Sequence, residues 1–417
     1  MASTRLGYLA VKTQAAASPT TAVVPTHFLR FKDGDMELMP DVIINNPIQN
    51  NRWSSLNVVQ GKVKTDGSYK FDVDPNEIVH WLRLGLGTIT SSTDISSGTD
   101  ATVYSHQIDV SDTPLYLTVE QGKGNLTDTT GNRQNYRVSR AFGVMVDQWM
   151  IKGADKELEL AVKLKAHGIF ERAKLLNNQA ATASPATISL DQTEGLTSTE
   201  PVNIFDSTPQ NEARSLTAVS TSANTVTVAA VTNSYTVANN AQIELQPLTP
   251  SFSTAAIPFS FAHVNAYFAA NITAAASASE DNIENWELTF NNNLDARYGS
   301  ARFGPSVVAL KGATATLKFT KYFQNRADAN YFFNNSARAC ILTITNNQIV
   351  SSTDTGNKKY QIQFKMPQLI FKTYSMPTAT DAVYAYTIEA EVMYDSTAGY
   401  AIRAIVQNAK AGTEYTA

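Results

Sequence analysis

Over much of the chain apolar and polar residues alternate one for one. That period puts successive side chains on opposite faces of a half-buried strand. The clearest run is Glu157-Leu158-Glu159-Leu160-Ala161-Val162-Lys163-Leu164-Lys165. Leu158, Leu160, Val162 and Leu164 share one face, while Glu157, Glu159, Lys163 and Lys165 share the other, which must be wet. A second run, Tyr384 to Tyr394, sets Tyr384, Tyr386, Ile388, Val392 and Tyr394 against Glu389 and Glu391. The same reasoning predicts strands over 42–46, 115–120, 136–151, 225–228, 286–290, 314–320, 341–345 and 360–371.

Helical signals are few. Over 74–85 Asp74 suits the N-cap, Pro75 the first turn and Glu77 the capping-box position. Ile78, Trp81 and Leu82 then form an apolar stripe, and Gly85 suits the C-terminal end. A shorter helix is predicted over 326–334, with Ala327, Tyr331 and Phe332 apolar.

The length of 417 residues suggests two or three domains. Only 17% of residues are charged, below the ordinary ~25%, and Ser, Thr, Asn and Ala take their place. A net charge of −4 argues against a protein that neutralises nucleic-acid phosphates. The single cysteine, Cys340, excludes a disulfide scaffold and reads as a small core residue. No apolar run reaches the ~18 residues of a membrane span. Met1 to Ala10 lacks the apolar segment of a secretory signal.

A composition shift divides the chain, because no lysine occurs between Lys174 and Lys311. Residues of about 177–255 are rich in Ser, Thr, Ala and Asn. Thr225-Val226-Thr227-Val228 and Gln242-Ile243-Glu244-Leu245 read there as strands rather than flexible linker. The predicted organisation is 1–175, an inserted β-rich surface module or excursion over 176–255, and 256–417.

The two outer segments echo one another. Pro25 to Phe31 followed by Val42-Ile43-Ile44-Asn45-Asn46 resembles Ile257 to Ala262 followed by Leu288-Thr289-Phe290-Asn291-Asn292. Lys70-Phe71 matches Lys318-Phe319, and the helix bearing Trp81 matches Tyr331-Phe332-Phe333. Leu115 to Val119 matches Cys340 to Ile344, and Tyr136 to Ile151 matches Tyr360 to Phe371. The two alternating runs close each segment. The shared order over more than a hundred residues points to a duplicated domain.

Catalytic signatures are absent from the sequence. The histidines His27, His80, His106, His167 and His263 show no metal-ligand spacing. There is no nucleophile elbow, and Gly122-Lys123-Gly124 lacks the phosphate-loop pattern. The acidic groups Asp33 with Asp35, and Glu280-Asp281 with Glu284 and Glu287, are too sparse for a calcium loop and read as solvated. Neither an enzyme nor a cofactor is expected.

The ordered echo resembles the tail tube proteins of long-tailed bacteriophages. Leu6-Gly7-Tyr8, Arg52, the turns at Gly61 and Gly67, and the helix ending Gly85-Leu86-Gly87 resemble that family's first domain. Pro258-Phe259-Ser260-Phe261 and Trp286 to Asn292 resemble its closing one. The likeness covers about 1–175 and 256–417. It implies a mainly β fold of two tandem tail-tube-like β-barrel or sandwich domains with short flanking helices, plus the inserted module. It also implies a virion protein assembled in the bacterial host's cytoplasm. Its rings would stack into a tube that houses the tape measure protein and conducts DNA during ejection without binding it. Tail terminator and distal tail proteins would cap the tube. A duplicated member would make the ring from three chains rather than six.

On that reading Glu157, Glu159, Lys163, Lys165, Glu389 and Glu391 are candidate wet-face residues, some lining the lumen. The polar arm from Ala2 to Pro25, disordered alone, and the loop from Thr88 to Thr102 are candidate ring-stacking segments. The alternative is a β-sandwich carbohydrate-binding or host-recognition virion protein, favoured by the abundance of Asn, Thr and Tyr.

Overall fold

The computed structural model describes residues 7–14, 19–45, 57–98, 102–113, 115–124, 136–153, 156–208, 210–253, 256–300, 304–323, 326–375 and 385–416. The chain is mainly β. The first segment holds β1 (Gly7–Thr13), β2 (His27–Leu29), β3 (Asp33–Asn45), β4 (Asn57–Asp72), α1 (Ile78–Leu86), β5 (Gly87–Asp94) and β6 (Tyr104–Val110). It continues with β7 (Leu117–Gly124), β8 (Tyr136–Gly153), β9 (Glu159–Lys165) and β10 (Gly168–Phe170). The middle holds β11 (Arg172–Lys174), β12 (Ala186–Ser189), β13 (Pro201–Phe205), β14 (Asn211–Ser220), β15 (Thr225–Val228) and β16 (Gln242–Leu245). The last segment opens with β17 (Val264–Ala269), α2 (Ile272–Ala275), β18 (Glu280–Asp281), β19 (Ile283–Asn291), β20 (Asp295–Tyr298), β21 (Pro305–Ala309) and β22 (Thr314–Tyr322). It ends with α3 (Ala327–Phe333), β23 (Arg338–Ile349), β24 (Lys359–Ser375), β25 (Ala385–Met393), β26 (Arg403–Asn408) and α4 (Thr413–Thr416).

In the first segment the strands pair in the order β2-β1-β7-β8-β9-β4-β3. In the last they pair in the order β18-β17-β23-β24-β25-β22-β19. β10 adds to the N-terminal half of β8, and β26 to that of β24. The two sets meet twice. β19 pairs antiparallel with the C-terminal half of β8, with Phe290 opposite Trp149. β26 pairs with β6.

One apolar core runs through both sets. It includes Trp81, Trp149, Phe259, Phe290, Phe319 and Phe364, all but buried. Trp149 stacks on Phe290, with ring centroids 5.6 Å apart. β8 shows why its sequence loses alternation at Ala141-Phe142-Gly143-Val144-Met145-Val146: that stretch is buried on both faces.

The middle strands form a separate sheet, ordered β11-β16-β13-β14-β15-β12. Leu175 bridges Leu190, bringing its first and last strands together and closing the sheet. Closure leaves no open edge for another chain. Its core is its own, centred on Val202, Ile204, Val226, Ile243 and Tyr235, and it borrows Tyr136, Val138 and Phe170 from the body. Because β11 pairs with β16, the module's sheet begins a few residues before the composition shift that predicted its boundary.

Three local expectations change. The arm is not polar throughout: β1 pairs with β7 and β2, and Tyr8, Leu9, Ala10 and Val11 are buried. Four apolar residues are too short a run to show a period, so the sequence hid this strand. Thr88 lies in β5, so the segment predicted as a loop opens with strand up to Asp94. Its turn is pinned by Thr355 N–H to the Ser97 carbonyl (2.7 Å) and by Ser97 N–H to Asp354 (2.6 Å). Serine and threonine fit an exposed strand as well as a loop. Helix α1 starts later than predicted, since Asp74 holds a preceding turn by accepting from Asn76 N–H at 2.7 Å. It also runs past Gly85, where an added Cβ would fall 2.3 Å from the Trp149 ring, and ends at Gly87, whose φ is +132°.

Candidate functional site

The strands β3-β4-β9-β8-β19-β22-β25-β24 form a continuous belt with one apolar and one polar face. Residues directly opposite one another across strands share a face, so the polar face can be followed in rows. One row runs Asp72, Glu159, Lys152, Glu287, Lys318, Glu389 and Thr373. A second runs Lys70, Ala161, Met150, Thr289, Thr316 and Glu391. A third runs Asp35, Ser68, Lys163, Gln148, Asn291 and Thr314.

Charges of opposite sign stand side by side along these rows. Lys152 Nζ lies 2.8 Å from Glu159 Oε1, which holds the Glu159 carboxyl below its ordinary range. Lys165 Nζ reaches Asp147 at 3.1 Å, and Lys372 Nζ reaches Glu391 at 2.7 Å. Lys123 reaches Asp35 at 2.5 Å. Two open troughs of about 460 and 710 Å³ lie on this face. The first is lined by Lys152, Glu157, Glu159, Glu287 and Lys318, the second by Asp35, Glu37, Asp66, Lys163 and Lys165. Interleaved charges cancel beyond the ~8–10 Å screening length, so the face presents a polar but electrically quiet wall.

Glu159, Lys163, Lys165, Glu389 and Glu391 therefore all stand on one belt face. Glu157 lies just before β9, where it bridges Ser260, and lines the first trough. Pro25 is buried, and Val23 N–H nearby donates to Thr118 Oγ1 at 3.0 Å, so that part of the arm is packed onto the body. Thr88 and Thr102 are exposed. Ala2, Leu6, Arg52 and Tyr384 lie outside the described residues.

Two charged clusters escaped the sequence reading. Arg140, 1% exposed, sets Nη2 2.6 Å from Glu120 and Nη1 2.5 Å from Glu200. It also donates to the Gly195 carbonyl at 3.1 Å, and Tyr8 donates its hydroxyl to Glu120. This network clamps the module to the body. In the other cluster Lys321 lies 2.7 Å from Asp281 and 3.2 Å from Asp328, while Arg338 and Tyr386 also bond Asp328. The available signal was a charge inside an apolar run, as Arg140 is between Val138 and Phe142.

The histidines serve packing. Burial pushes the His80 pKa down to about 3, beside His27 and Tyr415. His106 meets Asn408 at 3.1 Å and the Lys410 carbonyl at 2.9 Å. Burial raises the Cys340 thiol far above its ordinary value, which keeps it protonated. Among the described residues no group of three His, Cys, Asp or Glu could hold a metal ion. No helix among them is long and apolar enough to cross a membrane.

Compared with protein-family models and with curated proteins, the chain matches none of them.

Proposed function

We propose that the chain is the structural subunit of a self-assembling tube of the bacteriophage tail tube kind. Its belt would form part of a ring around a polar lumen. The observation that carries this reading is the correspondence of the two outer segments, together with the way they are joined. Their strand orders match strand for strand. A helix follows the equivalent strand in each, α1 after β4 and α3 after β22.

The irregularities match as well. β7–β8 shifts register between Leu117 and Val119, and β23–β24 between Arg338 and Cys340. β8–β9 shifts between Val146 and Gln148, and β24–β25 between Phe371 and Thr373. The residues skipped there, Asp147 and Lys372, form the equivalent ion pairs Asp147–Lys165 and Lys372–Glu391 with the signs exchanged. Chance likeness of two β-domains would not reproduce bulges and the bridges beside them. A duplicated domain is the simpler account.

Two such domains joined edge to edge within one chain supply one third of a pseudo-sixfold ring. A heterologous contact whose rotation closes then completes it with three chains. The quiet polar face suits a conduit that houses the tape measure protein and passes DNA without holding it. The closed module has no open edge to extend the belt, which suits a place outside the tube wall.

Electron microscopy of the purified protein over rising concentration tests this. Annular particles with a central hole, threefold in detail, or stacked tubes are the expected result. Compact particles with no hole at any concentration would end the tube reading and turn attention to glycan screening of the module.

A further inference from the structure

The belt has two ends, and the contact inside the chain shows what should meet there. β19 is paired on both sides, with β22 and with β8. Its counterpart β3 pairs with β4 alone among the described residues. β8 receives β19 on the side where its pairing with β7 has ended, beyond Leu117 opposite Val144. On β24 the corresponding pairing with β23 ends at Arg338 opposite Leu369, and among the described residues no strand follows on that side.

We propose that β3 of one copy of this chain adds antiparallel to the open edge of β24 of a second copy, repeating between chains the β19–β8 contact within each. The register follows from the shared bulges. Phe290 stands opposite Ala315, and Leu38 opposite Thr65, at matching places on β22 and β4. Trp149 stands opposite Val162, and Tyr374 opposite Ile388, at matching places on β9 and β25. As Phe290 faces Trp149, so Leu38 faces Tyr374. Glu37 then faces Ser375, and Met39 faces Thr373.

Exposure agrees with this. Phe290 is 2% exposed because Trp149 covers it, whereas Leu38 in the same structural place is 48% exposed. On the receiving side Tyr374 stacks on Tyr386 and Phe332, and the neighbouring Phe333, at the end of α3, is 73% exposed. A lone exposed leucine needs no partner. Apolar residues left bare on both complementary edges, beside backbone that no described strand pairs, do. One difference marks where the ladder ends. Pro40 stands where Asn292 donates its N–H to the Asp147 carbonyl, and proline has no N–H to give. Asp41 follows it, bringing a carboxylate towards Lys372, which replaces the acidic Asp147.

The assignment rests on the ring reading for its closure, but the contact can be tested without it. In Glu37→Cys with Ser375→Cys, both positions are exposed in the single chain and directly opposite in the proposed pair, within disulfide reach. Under mild oxidation the double variant should give covalent dimers and trimers on a denaturing gel. Each single variant, and the off-register pair Glu37→Cys with Lys318→Cys, should give none. Leu38→Asp, at an exposed site, should keep the unaltered chain's melting temperature and lose assembly. Annular particles without cross-links would overturn this junction and leave the tube standing. Cross-linked open chains without rings would support the junction and end the tube. Neither rings nor cross-links would overturn both.

Discussion

Where β19 meets β8, Phe290 stacks on Trp149, Leu288 stands opposite Ile151, and Trp149 also touches Phe364. Where the module meets the body, a guanidinium, two carboxylates and a phenol lie out of water in one network. The first joint relies on apolar burial, which is non-directional and tolerates small shifts. The second relies on charges whose desolvation is repaid only in one geometry. An apolar joint of this kind can be repeated at other matching edges, as proposed for β3 and β24. The module is held in the one pose that sets Glu200 and the Gly195 carbonyl on Arg140.

The polar joint should break as hard as the apolar one, but in a way that further substitutions repair. Arg140→Met leaves Glu120 and Glu200 buried without their cation, and should cost about 3–5 kcal/mol in chemical denaturation. Adding Glu120→Gln and Glu200→Gln removes the bare charges and should recover most of the loss. A single-variant cost near zero would mean that water reaches the site. At the apolar joint Phe290→Ala should cost about 3–5 kcal/mol through lost burial and the cavity left against Trp149. No second substitution that merely removes a charge should rescue it. That failure of rescue, set beside the recovery at Arg140, separates the two kinds of joint.

The fold was legible where period two persists. The strand over 225–228 has the bounds predicted from alternation, and β9 and β25 differ from prediction only at their ends. Most of the echo fell on strands in matching ladder positions but slid within them, and it paired Pro25 to Phe31, which holds β2, with Ile257 to Ala262, which lies in no strand and precedes β17. It matched Lys70-Phe71 to Lys318-Phe319, while the ladders set Tyr69 opposite Val162 as Phe319 is opposite Ile388. It matched Leu115 to Cys340, while Val119 and Cys340 hold equivalent places opposite Ala141 and Met366. Local likeness cannot see a bulge, and each bulge shifts every residue beyond it. The Glu159, Lys163 and Lys165 face could be read from alternation alone. The Arg140 network could not, because Glu200 lies 60 residues away and only the folded module brings it near.

A third joint sharpens the contrast through pH. The segment returning from the module passes Arg30, which lies over the Phe252 ring and donates to the Ser253 carbonyl and to Glu77 at 3.0 Å. Burial, with Asp74 close by, pushes the Glu77 carboxyl up to about 7 from an ordinary 4.5, against the pull of Arg30. Burial also raises Asp74, which accepts the Ala256 N–H at 3.2 Å. Between pH 4.5 and 7 the folded chain therefore holds a proton that the unfolded chain has lost. Stability from this group is full below about 4.5 and is lost as pH rises through about 7, by about 1–3 kcal/mol. Denaturation midpoints across that range should fall with pH in the unaltered chain and flatten in Glu77→Gln. Phe290→Ala should lower the whole curve without changing its slope, since neither Phe290 nor the Trp149 ring it stacks on titrates. If Glu77→Gln kept the full slope, burial at this joint would be less complete than at the clamp around Arg140. The polar joints would then differ from each other as much as from the apolar one.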